Sequence, residues 1–536
     1  MNTAYLIMLI LLLLYIPLWV WVWRNPEKAE KFHLEKYGPA IMIKTHLGIK
    51  TMDKVAKYHR LWRVFGFLSK VTAAVLFFLM MYMLVVAIVA IPGRVGQPAL
   101  GIEYALAIPG FNPILPLSYG IVALFIAMEV HEMGHGIQTR TNGCKVDSTG
   151  LLHAVVPLGA FVQPNEEEMS KQPRRVQMDM YTAGITVNTI MAVLCMGLLV
   201  FSCGYVTTDY GDDAGVFAVD QESPAYYADL PASAIIVSVE TMAGEKLPFE
   251  AFYDGSFVCL ECFDDEGTSM LDPSQFYRVT YDYHGELTTV DKFQIGVFIK
   301  TITKGSPADN AGIKPGEMLY SMDFRDDGKD PYVITSVNAF LTLMKNSRGG
   351  DVVDIVTMSV FDGKTEVMKT AHSGIVLTDR NGKGFLGVST NTSGMALTTP
   401  NMMLDRATDP FAAANGSPMS YVQSLFGYLS GPFNGMDPVP DDIKWWYDTP
   451  GDGLFWTFVT LLYWVFWLDL LLAISNALPA YPFDGGFIFA GGINWLLEKF
   501  GVKDEERRQT LTDSVASSVS TVTLFAFILV ILSLLI

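Results

Sequence analysis

Residues 113–140 read PILPLSYGIVALFIAMEVHEMGHGIQTR, an apolar stretch that ends in two histidines and a glutamate. Its apolar part is long enough to cross the roughly 30 Å hydrocarbon core of a bilayer as a helix. In such a helix, His131 and His135 lie one turn apart on one face, so both imidazoles can bind the same metal ion, while Glu132 points to an adjacent face. Ionisable groups inside a membrane span are costly, so this set indicates a functional site.

Similar apolar stretches recur along the chain. Of its 536 residues, 51% are hydrophobic and 17% are charged, which is too apolar for an ordinary soluble protein. The segments long enough to span a bilayer are 4–23, 66–91, 116–137, 180–203, 454–478 and 511–536. We therefore predict a polytopic α-helical membrane protein with about six transmembrane helices.

The distribution of basic residues predicts the orientation of these spans. The first apolar segment has no preceding positive charge, so we expect it to be a retained helix rather than a cleaved signal peptide. Lysines and arginines are frequent in 24–65, which the positive-inside rule places in the cytoplasm. The third and fifth spans then both run inward, and their polar motifs meet near the cytoplasmic side of the cell membrane.

The long segment between the fourth and fifth spans is predicted to be an extracytoplasmic α/β region. Residues 205–452 contain 36 Asp and Glu against 16 Lys and Arg, a net charge of −20 in a chain whose total is −18. An acidic folded region has therefore been inserted into a nearly neutral membrane body. This charge argues against nucleic acid as a partner.

An internal repeat organises this acidic region. GVFIKTITKGSPADNAGIKPGEMLYSM, at 296–322, predicts a strand, a short helix with Ser306 as N-cap, and a second strand. GVFAVDQESPAYYADLPASAIIVSV, at 215–239, repeats this layout, with Ser223 matching Ser306. Both copies resemble PDZ domains, and this resemblance implies a possible peptide ligand, with the carboxylate-binding loop at 296–299. The alternative is that both copies are packing modules with closed grooves.

A second polar motif ends the fifth span. It reads SNALPAYPFDGGFIF, at 475–489, where Pro479 and Pro482 stop the helix. Irregular backbone at membrane depth is tolerated where it lines a cavity enclosed by protein. Catalytic zinc takes three protein ligands and one open position, and Asp484 suits the third.

The two motifs together strongly resemble those of the site-2 proteases, intramembrane zinc metalloproteases whose prokaryotic members carry PDZ-like insertions. Asn476 to Gly485 matches their Asn-x-x-Pro-x-x-x-x-Asp-Gly motif, AGITVN at 183–188 matches an intervening span, and LGAFVQPNEEE at 158–168 matches a membrane-associated hairpin. Ile185 departs from the proline that many members have. The resemblance covers 116–500, and the first two spans and the last appear peripheral.

With this resemblance, the chain divides into seven predicted segments. They are 1–115 (two spans and a basic cytoplasmic loop), 116–204 (catalytic core, first part), 205–292 (degenerate PDZ-like repeat), 293–372 (PDZ-like domain), 373–452 (connector with an interfacial or surface helix), 453–500 (catalytic core, second part) and 501–536 (basic loop and last span).

The resemblance also implies a reaction. One Zn²⁺ held by His131, His135 and Asp484 would activate water, and Glu132 would act as general base. Asn188 and Asn476 would contact the substrate backbone or the oxyanion, unless they are structural amides joining spans. The expected substrates are single-span membrane proteins or membrane-embedded signal segments within the lipid bilayer, held extended by the hairpin.

Two other functions remain open at the level of sequence. A membrane-tethered zinc peptidase of soluble peptides would take its third ligand from 166–168, and a non-catalytic scaffold would use only the PDZ-like repeats. The pair Cys259 and Cys262 is too small a set for a zinc site and favours a local disulfide or two free thiols.

Overall fold

The computed structural model describes residues 3–94, 101–105, 107–154, 157–253, 258–261, 269–325, 328–434, 437–451 and 453–533. Cys262 of the predicted thiol pair lies outside these residues. The chain folds as two compact units. The membrane unit consists of Met1–Gly204, Leu429–Pro438 and Gly453–Ile536, and the acidic unit consists of Tyr205–Tyr428 and Val439–Asp452.

The helices are α1 (Thr3–Arg24), α2 (Pro26–Glu30), α3 (Ile49–Ala56), α4 (His59–Ala90), α5 (Leu117–Thr141), α6 (Glu166–Ser170), α7 (Arg174–Cys203), α8 (Pro224–Tyr227), α9 (Pro307–Asn310), α10 (Val337–Asn346), α11 (Pro400–Thr408), α12 (Pro418–Leu429), α13 (Leu454–Asn476), α14 (Asp484–Lys499) and α15 (Glu505–Leu532).

The strands are β1 (Leu34–Tyr37), β2 (Ala40–Thr45), β3 (Val146–His153), β4 (Pro157–Pro164), β5 (Ala214–Val219), β6 (Ile235–Thr241), β7 (Lys246–Leu247), β8 (Glu250–Tyr253), β9 (Val258–Glu261), β10 (Phe276–Tyr283), β11 (Glu286–Gln294), β12 (Val297–Ile302), β13 (Glu317–Phe324), β14 (Tyr332–Val333), β15 (Val352–Ser359), β16 (Lys369–Val376), β17 (Thr378–Arg380), β18 (Lys383–Phe385), β19 (Val388–Thr392) and β20 (Met395–Thr398).

Long apolar helices make this chain a multi-pass membrane protein. Within the described residues, five helices are long and apolar enough to cross a bilayer, namely α4, α5, α7, α13 and α15. The first predicted span folds as α1, in which Leu9–Arg24 is a shorter apolar helix. The figure of six spans therefore stays a prediction. Two of these helices are longer than their apolar segments. Helices α4 and α7 each begin with a turn that contains basic residues.

Helix α13 lies at the centre of the membrane unit, packed against α7 and α5. Val459 and Trp464, which point to different sides of the helix, are both fully buried. In contrast, α4 exposes Phe78 and Val89, as expected for a helix with one face toward lipid. Contacts with α13 thus hold α5 and α7, the helices that carry the HExxH motif and the intervening span, in one unit.

A four-stranded antiparallel sheet in the order β1-β2-β3-β4 completes the membrane unit. The predicted hairpin is present as β3 and β4, and its turn includes residues outside the described ranges. Strand β2 pairs with β3 from Ile41↔His153 to Thr45↔Thr149, although the two strands are about a hundred residues apart in sequence. The basic loop between the first two predicted spans therefore extends the hairpin.

The acidic unit contains a large antiparallel sheet in the order β11-β10-β6-β5-β20-β19-β12-β13-β15-β16. The repeat is visible in it, because β5 and β12 are each followed by a one-turn helix and a further strand. Ser306 and Ser223 cap these two helices by accepting hydrogen bonds from the backbone N–H groups of Asp309 and Tyr226. The predicted N-cap, Ser306, is confirmed, and Ser223 caps the corresponding helix of the other copy in the same way.

Two expectations for this region were wrong in detail. Val297 and Phe298, predicted to belong to a ligand-binding loop, pair with β13 on one side and β19 on the other, so they have no free edge. The segment 373–452, predicted as a connector, contributes β19 and β20 to the middle of the sheet. Both differences have one physical cause. Late strands return to pair with early ones, and local sequence patterns carry no information about such pairing.

Candidate metal centre

Two histidines of the candidate centre lie one turn apart on α5. The helix begins after Pro116, and it continues past the apolar run for ten residues beyond His131, to Thr141. The Nε2 atoms of His131 and His135 are 3.1 Å apart, and the ring centroids are separated by 4.8 Å. The His131 residue is only 6% exposed. The helix alone therefore brings two imidazole nitrogens to one point.

The third group, Asp484, comes from the break between α13 and α14. Helix α13 ends at Asn476, and α14 begins at Asp484. Pro479 and Pro482 lie between them and have no N–H groups with which to continue a helix. At Gly485 a Cβ would overlap carbonyl oxygens of this loop, so the tight approach requires glycine. The break places a carboxylate at the first position of a new helix.

These three side chains converge. Asp484 Oδ2 lies 3.3 Å from His131 Nε2 and 3.2 Å from His135 Nε2. His135 Nδ1 lies 2.8 Å from the Met180 carbonyl oxygen, to which it donates, so the Nε2 atom of a neutral His135 carries a lone pair. Three potential electron-pair donors thus face one another, and a cation between them would stabilise this arrangement.

The size of this triangle fits zinc. Tetrahedral zinc with bonds of about 2.0–2.1 Å holds its ligand atoms roughly 3.3 Å apart, close to the three distances observed. His131, His135 and Asp484 form the possible metal-binding cluster found in the part of the chain that the structure describes. The glutamates at 166–168 are not members of that cluster; of these, Glu167 and Glu168 pair with Lys171 and Lys145.

Helix α7 passes beside the imidazoles at Gly184. A Cβ at this position would lie 2.7 Å from His131 Cε1 and 2.8 Å from His131 Nε2, and closer still to His135 Nε2. Any larger residue would therefore occupy space that the imidazoles need. Ile185 is fully buried, and α7 runs through it without a break.

Glu132 lies beside the cluster but outside the triangle. Its Oε2 accepts a hydrogen bond of 2.8 Å from the Val162 N–H of β4, and its side chain lines the same cavity as the three candidate ligands. The carboxylate is thus held near the metal position by a backbone group. This arrangement suits a base that acts on water, although its role stays a prediction.

The two predicted asparagines have different surroundings. Asn188 is fully buried, and its amide donates to the Ala127 carbonyl at 3.2 Å, which joins α7 to α5. Asn476 donates to the Leu472 carbonyl of its own helix at 3.0 Å and lines the cavity. Of the two, Asn476 therefore opens to the cavity, and Asn188 has the surroundings of a structural amide.

A cavity of about 1460 Å³ opens onto the cluster. This volume exceeds the range of roughly 300–1,000 Å³ that is typical of small-molecule pockets. Charged residues of several elements line it as well, namely Glu35, Lys44, Glu166, Arg174, Glu498, Glu505, Arg508 and Asp513. The cavity is therefore polar enough to admit water and large enough to hold a segment of polypeptide.

Sequence reasoning missed two parts of this site. Strands β1 and β2 line the cavity through residues such as Tyr37 and Met42. Lys70 of α4 forms an ion pair with Asp179 of α7, next to the Met180 carbonyl that holds His135. A lysine within an apolar run was the available signal for the second part, because such a charge needs a partner. The pairing of β2 with β3 had no local signal.

Helices, sheet and cluster define an integral membrane protein with a candidate metal site enclosed by its own spans. The sequence model of peptidase family M50 matches residues 119–522. The chain belongs to this family of metalloproteases, and its resemblance to the site-2 proteases is confirmed.

Two relatives illustrate this similarity. An uncharacterized protein of Methanocaldococcus jannaschii is 32% identical over 176 residues, which are 32% of this chain and 47% of that protein. A membrane-bound transcription factor site-2 protease homolog of Arabidopsis thaliana is 24% identical over 157 residues, 28% of this chain and 30% of that protein. The matched parts thus span less than half the length of either relative.

Proposed function

We propose that this protein is a zinc-dependent intramembrane endopeptidase. The observation that carries the proposal is the convergence of His131, His135 and Asp484 from two separate membrane segments, at spacings of 3.1–3.3 Å. Glu132 beside this triangle completes the set needed for metal-assisted hydrolysis.

The chemistry follows from the placement of these side chains. His131, His135 and Asp484 would hold the zinc ion, which would supply an acidified water and a Lewis acid for the scissile carbonyl. Glu132 takes the proton from the attacking water and passes it to the leaving nitrogen. The Val162 N–H keeps the Glu132 carboxylate oriented toward the cavity. Asn476 is available to hydrogen-bond the substrate backbone.

A helical substrate must be unwound before it can be cleaved, because its carbonyls are hidden in hydrogen bonds four residues apart. Strand β4 offers the means. It pairs with β3 on one side, and no described strand pairs with its other edge. An unwound segment can add to this edge as a further strand, and Glu132 contacts the same strand at Val162. The proposed substrates are therefore single-span membrane proteins.

The proposed topology has six spans, α1 included, in the cell membrane, with the metal cluster near the cytoplasmic side. The basic residues between the first two spans support this orientation. The acidic unit is then extracytoplasmic, and its two PDZ-like repeats control the access of substrates.

Replacing Glu132 with glutamine tests the function. The purified variant reconstituted in liposomes should retain zinc but lose cleavage of a single-span substrate, because the amide cannot accept the water's proton. Wild-type protein and a soluble casein substrate serve as controls. Cleavage of casein alone would favour the tethered peptidase, and zinc-free inactive wild-type protein would favour the scaffold. Undiminished proteolysis by Glu132→Gln would refute the mechanism.

A further inference from the structure

Three aromatic rings form a wall of the cavity next to Asp484. Phe487 lies one turn after Asp484 on α14, on the same face of that helix. The Tyr181 ring of α7 stacks on Phe487 with centroids 5.0 Å apart and an interplanar angle of 14°. Tyr481, from the loop before α14, meets the same ring edge-on at 4.9 Å. All three residues line the cavity.

Tyr181 is held close to the metal position by its neighbours on α7. Met180, the preceding residue, accepts the hydrogen bond from His135, and Gly184, one turn later, faces both imidazoles, since a Cβ there would overlap them. The phenol is therefore anchored by a stacked ring on one side and by the α7 backbone on the other.

The Tyr181 hydroxyl is a free donor. Among the residues that the structure describes, it has no hydrogen-bond partner, although a partly buried phenol usually finds one. Of the two amides expected to donate to a substrate, Asn188 and Asn476 each already give one N–H to a helix carbonyl, those of Ala127 and Leu472, whereas the Tyr181 hydroxyl has no such bond in the described part of the chain. A free donor in the wall of a hydrolytic cavity indicates a group that pairs with the substrate.

We propose that the Tyr181 hydroxyl donates a hydrogen bond to the carbonyl oxygen at the cleavage point as that oxygen acquires negative charge. In the step concerned, the water oxygen bonds to the carbonyl carbon, the C–N bond breaks, and Glu132 carries the proton from water to nitrogen. Tyr181 keeps its own proton throughout. This role rests on the proposed function, because it needs a peptide bond in the cavity.

The rigid position of this donor is what makes it effective. A donor already aimed at the developing charge stabilises the transition state more than the ground state, and removing one such donor typically lowers kcat about 100-fold or more. Tyr181→Phe removes the hydroxyl and leaves the stacking on Phe487 intact. We therefore expect kcat to fall about 100-fold, with KM and zinc content unchanged within about threefold.

The experiment compares purified Tyr181→Phe with wild type on a single-span substrate, and measures zinc content together with the affinity of a phosphinic peptide that mimics the tetrahedral intermediate. This affinity should weaken about 100-fold in parallel with kcat. Tyr82→Phe is the matched control, because Tyr82 is a part-exposed phenol on α4, outside the cavity lining.

Several outcomes would overturn the role of Tyr181. These are a kcat within threefold of wild type, loss of zinc in Tyr181→Phe, or a loss of activity in Tyr481→Phe that Tyr181→Phe does not show. Wild-type protein that cleaves no membrane substrate would instead refute the proposed function, and this role with it. The two failures are thus distinguishable from the wild-type measurement alone.

Discussion

Substituting Gly184 by alanine should remove the metal without unfolding the protein. The added Cβ would lie 2.7 Å from His131 Cε1 and 2.8 Å from His131 Nε2, and closer still to His135 Nε2. Carbon atoms in contact are normally about 3.5–4.0 Å from their neighbours, so the imidazoles must retreat by about 0.7 Å or more. Helix α7 has little room to retreat instead, because it packs against α5, α13 and α4.

This displacement of the imidazoles is several times larger than the variation in metal–ligand distance that a coordination site tolerates. Distances between metal and ligand hold to about ±0.2 Å in well-formed sites. Loss of a residue that orients a metal ligand typically lowers metal affinity roughly 10- to 100-fold. We expect the zinc affinity of Gly184→Ala to fall by at least this much. The free energy of unfolding should change by about 1–3 kcal/mol, the usual effect of overpacking.

The assay is zinc content by mass spectrometry after dialysis against a graded series of chelator concentrations, with helicity measured by circular dichroism. Gly197→Ala is the matched control, because Gly197 lies on the same helix and a Cβ there would meet nothing within 4 Å. The control shares the gain in helix propensity but should keep its metal. Equal zinc retention by the two variants would show that the imidazoles do not meet at Gly184.

Two further predictions concern charged groups. Lys70→Met should lower the unfolding temperature in detergent, because it leaves Asp179 in the membrane unit without its ion-pair partner. If loss of this pair is the cause, the double variant Lys70→Met, Asp179→Leu should be more stable than Lys70→Met alone. In the acidic unit, hydrogen bonds from Arg325 hold the pKa of Asp354 below its usual range. A lowered folded-state pKa stabilises the fold above the ordinary carboxyl pKa of about 3.9, and this contribution is lost as the pH falls through the folded value. Asp354→Asn should remove this acid dependence, and identical pH–stability curves for variant and wild type would contradict the assignment.

Much of the site could be predicted because its signals are local. A helix places residues four apart on one face, so His131 and His135 were predictable as a pair from α5 alone. Prolines end helices, so the break that presents Asp484 was readable in the chain as well. The N-cap at Ser306 followed from its position before Pro307. Each of these features depends on a few neighbouring residues.

The surroundings of the site were less predictable. Nothing near Asn188 in sequence indicates that its amide meets the Ala127 carbonyl on another helix. The placement of Val297 between β13 and β19 depends on a strand that begins about ninety residues later. Packing between distant segments decides such contacts, and the hydrophobic period of one segment does not identify its partner.

The sequence by itself determined the membrane class, the helices that carry the polar motifs and the residues able to hold a metal, because apolar length, helical period and proline act within a few turns. Only the tertiary structure decided that Asp484 reaches the two imidazoles, that Gly184 leaves space for them, and that β2 extends the hairpin along the cavity. These are distances between segments far apart in the chain, and they are set by how the helices and strands pack around a shared core.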